Sequence, residues 1–216
     1  MHQAGRLADA HINFQEAEAI QRKRGSKFKK LYSFPGFRYC DLLLTQGEYQ
    51  LALSRSFQMV KWAERNMGLL TNALSQLAFG RAHLAMAVKL DGAKTVTRRI
   101  HLSHAENWLY QAMHKLRQAG HQDELTRGLL ARAAWALAAQ QFDQAHRDLT
   151  EARSIAERGE MRLYLCDYHL ESARLHLAQG NKDKAREHWT TAREMVAQMG
   201  YHRRDKEVEE IAAQLG

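Results

Sequence analysis

The sequence predicts an all-α protein built from antiparallel helix pairs stacked one after another. Three observations carry this. A single proline, Pro35, occurs in 216 residues, and helix interiors exclude proline whereas turn-rich β proteins use it freely. Ala, Leu, Gln, Arg and Glu, all strong helix formers, dominate the composition. A pattern of small and large residues spaced by three and four recurs along the chain and closes on glycine. Apolar residues make up 45% of the chain, enough for a sizeable core.

The elements follow in order. A first helix is expected from about residue 9, with Ala10, Phe14 and Ala17 on one face and Gly25 at its end. Residues three and four apart share a helical face, so the alanines admit a neighbouring helix closely while the large residue fills the gap. The closing glycine supplies the left-handed residue that ends a helix. Residues 21–32 (QRKRGSKFKKLY) then read as a basic connector. A helix of a second kind carries Phe37, Cys40 and Leu44, large–small–large at the same spacing, and Gln46-Gly47-Glu48 turns it into a helix near residue 50 with Ala52, Ser56, Met59 and Gly68.

The alternation continues. Leu77, Gly80 and Leu84 mark the next first helix, residues 91–104 read as an insertion, and a helix near 103 carries Ala105, Leu109, Ala112 and Gly120. Leu130, Ala133 and Leu137 precede a helix near 143 with Ala145, Leu149, Ala152 and Gly159. Leu170, Ala173 and Leu177 lead through Gln179-Gly180-Asn181 to a helix near 183 with Ala185, Trp189, Ala192 and Gly200. Asp205 is placed to N-cap a last helix with Val208, Ile211, Ala212 and Leu215 on one face. One domain is therefore expected: a half-repeat over 1–25, units over about 33–68, 70–120, 126–159 and 162–200, and a capping helix over 204–216. The opening half-repeat lacks a partner, so Phe14, Ala17 and Ile20 are expected to form a bare apolar face suited to a homodimer contact, or to a neighbouring segment of a longer chain.

Gly47-Glu48-Tyr49-x-x-Ala52, Gly180-x4-Ala185-x3-Trp189-x2-Ala192 and Gly5-x-Leu7-x-x-Ala10-x3-Phe14 resemble the tetratricopeptide repeat, whose second helix carries A-x3-F-x2-A after a glycine turn. The resemblance runs from about residue 4 to 200. It implies an α-α superhelix, a right-handed solenoid, with first helices lining a concave groove. The marker alanines 10, 52, 105, 145 and 185 are 40 to 53 apart rather than about 34, and glycine replaces the usual closing proline. Longer units of this kind are similar to those in bacterial regulators, which implies a segment of a larger multidomain signalling protein. The Lys/Asn clamp that one subfamily uses for chaperone C-termini is absent.

The search for chemistry points away from catalysis. No P-loop, dinucleotide fingerprint, HExxH or nucleophile elbow is present. Twelve histidines invite a metal reading, but His101/His104 and His169/His176 have no carboxylate or cysteine at ligand spacing, so no metal or cofactor is expected. Cys40 falls at the small core position, and Cys40 and Cys166 lie far apart, a usage that fits a reducing cytoplasm. Trp62, Trp108, Trp135 and Trp189 read as packing residues. No run reaches the length of a signal peptide core or a bilayer span.

Two surfaces remain. The resemblance implies that residues following the small position of each first helix face the groove; these are Asp41, Arg81, Ala134 and Arg174, with Arg38, Arg127 and Glu171 close by. Their guanidinium groups suit carboxylates of a protein or peptide partner, or pair with neighbouring acids such as Glu171. The net charge is +8, and Arg22, Lys23, Arg24, Lys27, Lys29 and Lys30 concentrate cations suited to phosphates, with Phe28 among them available to stack on a base. The expected function is a non-catalytic protein-interaction scaffold. Two alternatives are an effector-sensing arm of a signal-transduction NTPase or transcription regulator, and nucleic-acid binding through the connector over 21–30.

Overall fold

A computed structural model describes residues 1–26, 28–64, 67–90 and 96–216. Among them every regular element is helical: α1 Leu7–Lys23, α2 Ser33–Thr45, α3 Tyr49–Ala63, α4 Leu69–Lys89, α5 Val96–Ala119, α6 Gln122–Ala138, α7 Phe142–Arg158, α8 Arg162–Ala178, α9 Lys182–Met199 and α10 Asp205–Leu215, with short 3₁₀ turns at His2–Ala4 and His202–Arg204. The chain forms two compact units, one over residues 6–120 and one over 121–216.

In the first unit α2, α3 and α4 pack mutually and α4 pairs with α5. The recurring small and large residues meet as expected. Cys40, Ala52, Ala105, Leu109 and Ala112 are all within 1% of full burial. At Gly80 a Cβ would stand 2.9 Å from Leu109 Cγ and 3.1 Å from the Leu109 backbone nitrogen, so only glycine lets α4 and α5 approach this closely. Helix α1 packs on α2: the Phe14 ring stacks on Tyr39 at 4.8 Å between centroids, and Leu7, Phe14 and Ala17 join a cluster with Leu31, Leu42, Leu43 and Ala52. The face expected to be bare is therefore largely covered, with Ile20 remaining half exposed.

In the second unit α6, α7 and α8 pack mutually, α8 pairs with α9, and α10 rests on α8 and α9. Ala145, Ala152, Ala173, Ala185 and Ala192 are buried with Leu149. Trp135 is fully enclosed, and the Trp189 indole N–H donates to the Val208 carbonyl of α10 at 2.9 Å. The closing helix buries Val208, Ile211 and Leu215, while Ala212 lies at its margin.

Three boundaries differ from the expected ones. Helix α5 begins at Val96 rather than 103, so of the expected insertion residues 96–104 are helical and 91–95 lie outside the described residues. Nothing between Val96 and His104 breaks a helix, and the long α4 gives this extra length a surface to pack on. Gly68 ends no helix: α3 stops at Ala63, and Gly68, with φ −57° and ψ 158°, is the N-cap of α4. Arg204, not Asp205, is the N-cap of α10, because the 3₁₀ turn before it brings Asp205 into the first helical position.

The turns share one geometry. At 46–48, 139–141, 159–161 and 179–181 a C-cap residue is followed by one with positive φ and then by the N-cap of the next helix. The amide of that third residue reaches back five positions: Glu48 to Leu43, Gln141 to Ala136, Met161 to Ala156 and Asn181 to His176, at 2.7–2.9 Å. This is the Schellman arrangement, which satisfies carbonyls the helix end leaves free. Glycine holds the left-handed position at Gly47 and Gly180, but Gln140 (φ 59°) and Glu160 (φ 51°) hold it elsewhere. Gly159, expected there, sits one residue early with φ −94°. A side chain in this region costs about 1–2 kcal/mol, part of which glycine's greater unfolded-state freedom offsets. Gln140→Gly should therefore stabilise the protein by about 0.5–1 kcal/mol, read as a higher urea midpoint; a lower midpoint would show that the Gln140 side chain makes a compensating contact.

Candidate functional site

The groove candidates occupy first helices, and the structure engages most of them with acids of the same unit. Asp41 on α2 is buried, and Arg81 on α4 donates to its carboxylate at 2.7 Å, joining two consecutive first helices. Both residues directly follow their helix's small position, Cys40 and Gly80. The Arg81 side chain keeps 19% of its exposure. Arg38, on the same helix as Asp41, is half-buried. Charge reversal at Arg81 would confront a buried carboxylate with a like charge, so that change perturbs folding before it reports on binding.

In the second unit Arg127 lies 3.0 Å from Glu124 one turn earlier, with 12% exposure, and donates to the Tyr164 hydroxyl of α8, again linking first helices. Arg174 pairs with Glu171 on its own helix and is the most open of the three arginines at 29%. The pairing of Arg174 with its neighbour was one of the two readings the sequence left open. All three arginine side chains are thus partly buried, each with an acid at hand.

Sequence spacing overlooked two histidine groups, because their members come from different helices. His83 on α4 and His101 on α5 stand with their Nδ1 atoms 2.9 Å apart, and the His104 ring lies 4.8 Å from that of His83. In the second unit His169 on α8 and His188 on α9 repeat the contact at 2.9 Å, with His176 stacked on His188 at 5.5 Å. Among the described residues no three ligating side chains are arranged to share a metal ion. Two ring nitrogens at this separation need one lone pair between them, so both rings of a pair cannot be imidazolium. Burial and the neighbouring imidazoles lower the His83 pKa to about 4. Burial, then His188 and Arg153, does the same to His169, also to about 4.

The cysteines are buried. Burial pushes both thiols up to about 12, which withholds the thiolate a nucleophile needs. Cys40 occupies the small core position expected of it and is 1% exposed.

In the basic connector Arg22 and Lys23 close α1, Arg24 caps it, and Lys29 and Lys30 follow. Lys27 lies outside the described residues. Phe28, expected to be available for stacking, instead packs between Tyr32 (4.2 Å) and Trp62 (5.2 Å).

The chain matches no protein-family model and no curated protein. Among the described residues no helix is long and apolar enough to cross a membrane.

The two histidine pairs set a pH response. Unfolded histidine takes up a proton near pH 6.5, while His83 and His169 in the fold resist until about 4. The unfolded chain therefore binds more protons across this window, and stability falls as pH drops from about 6.5 towards 4. Urea midpoints measured through that range should fall more steeply for the natural protein than for His83→Gln/His169→Gln. Equal slopes would sink this assignment.

Proposed function

We propose that the helix pairs belong to a right-handed solenoid of the tetratricopeptide type, a non-catalytic scaffold whose first helices bind a protein or peptide along a concave face. The observation that supports this most is the lateral contact between consecutive first helices: α2 touches α4, and α6 touches α8, while α3 and α7 each touch both members of their pair. That step is made once within each unit and is the contact a stacked array of helix pairs repeats. Arg81 stands at it in the first unit and Arg127 and Arg174 in the second, each tied to an acid and partly exposed. Such groups favour a partner segment bearing carboxylates, which would share or replace the internal acid.

A photoreactive amino acid placed at Arg38 or Arg174 on the first helices, and at Glu106 or Glu187 on the second, tests this in the source cells. The proposal expects protein adducts from the first pair of positions and not from the second. Adducts formed only at Glu106 and Glu187, or at none of the four, would contradict it.

A further inference from the structure

The charge of the chain is concentrated in one unit. Residues 1–120 hold 18 Lys and Arg against 8 Asp and Glu, a net +10, whereas residues 121–216 hold 14 against 16, a net −2. Asymmetry of this size between halves marks a polyanion partner for the basic half, and the connector after α1 is where its cations are densest.

The described residues of the connector are fastened on both sides of position 27. The Gln21 side-chain amide donates to the Phe28 carbonyl at 2.6 Å and to the Lys30 carbonyl at 2.8 Å, using both of its hydrogens. The Leu31 amide donates to the Glu18 carboxylate at 2.8 Å, which Arg55 of α3 neutralises from the other side. Ser26 accepts from the Phe28 amide at 3.2 Å. Leu31 is buried, and Phe28, partly exposed, packs on Tyr32 and Trp62. Arg22, Lys23, Arg24 and Lys29 point to solvent and Lys30 is half-exposed. None of these five cations is paired with a carboxylate among the described residues: Glu18, the acid nearest in the hydrogen-bond network, is spent on Leu31 and Arg55.

Five cations without a paired acid among the described residues thus stand on a stretch whose described backbone is fastened before any ligand arrives. We propose that this pinned loop is a binding site for the phosphate backbone of nucleic acid, separate from the first-helix surface. The aromatic packing gives the site its character. With Phe28 engaged by Tyr32 and Trp62, contact falls chiefly on phosphates and discriminates little by sequence or strandedness. An anionic membrane is less well matched, because firm adsorption adds fully exposed apolar side chains to the cations, whereas Leu31 is buried and Phe28 is packed against neighbouring rings.

The test uses the whole chain with a labelled DNA duplex and a labelled polyuridylate, titrated between about 50 and 200 mM salt. The natural protein should bind both probes comparably, with log affinity falling against log salt by roughly 0.7–0.9 per phosphate engaged. Arg22→Gln/Lys23→Gln/Arg24→Gln/Lys29→Gln should lose about tenfold or more at the lower salt and flatten the slope by about one for each cation removed. Lys23→Gln/Lys29→Gln, a smaller change, should flatten it by about two. The exposed cations Arg158, Lys182 and Lys184 of the second unit, changed together to Gln, should leave affinity and slope unchanged. Absence of binding at low salt, undiminished binding by the connector variants, or an equal loss in the second-unit variant would overturn the proposal. So would capture by vesicles of anionic phospholipid with neither nucleic-acid probe bound.

Discussion

Gly80 on α4 and Leu109 on α5 meet so closely that one added carbon atom would collide with the leucine. That contact is the sharpest instance of the constraint on which the remaining structure depends. In each pair, small residues on one helix admit large residues of the next, and the helix axes come near enough for dispersion and apolar burial to outweigh the entropy of ordering two helices. Cys40, Ala133 and Ala173 hold the corresponding place in the other first helices, all at 2% exposure or less. The chain can repeat the motif because its requirement is local. A small residue, a large one at the right spacing, and a turn that reverses direction within three residues are sufficient.

Packing of this kind is permissive about register, and buried ion pairs supply a second constraint. Arg55 meets Glu18 between α3 and α1, Arg81 meets Asp41 between α4 and α2, and Arg132 meets Asp148 between α6 and α7. Arg204 meets Asp167 across the turn before α10. Each pair joins two different elements, and a one-residue slip would strand a carboxylate that is almost wholly enclosed. Of these, the Arg81–Asp41 pair lies between two first helices, where it holds the guanidinium at a fixed point.

Helix existence and pairing were legible in the sequence because their signals are periodic. The expected starts near 50, 143 and 183 lie one residue from Tyr49, Phe142 and Lys182. What could not be read depends on contacts across helices or on exceptions to a residue rule. His83 and His101 are 18 positions apart on two helices, so no spacing argument joins them. Gln140 and Glu160 take left-handed positions that a glycine search passes over. The stretch before Val96 reads as a loop, which drew the start of α5 too far along. Phe28 looked available because one sequence does not reveal that Tyr32 and Trp62 enclose it. Among site residues, membership of the first helices was legible, but the choice of partner for Asp41 and Arg81 required the fold.

A double-mutant cycle on Gly80→Ala and Leu109→Ala, followed by urea denaturation, tests the packing claim most directly. The account predicts that Gly80→Ala alone destabilises by about 1–3 kcal/mol, as overpacking does. With Leu109 already cut to alanine, the same change should cost less, the remainder coming from the 3.1 Å approach to the backbone nitrogen of residue 109. An equal cost in both backgrounds would contradict the account, since the penalty would then arise from something other than the meeting of these two residues.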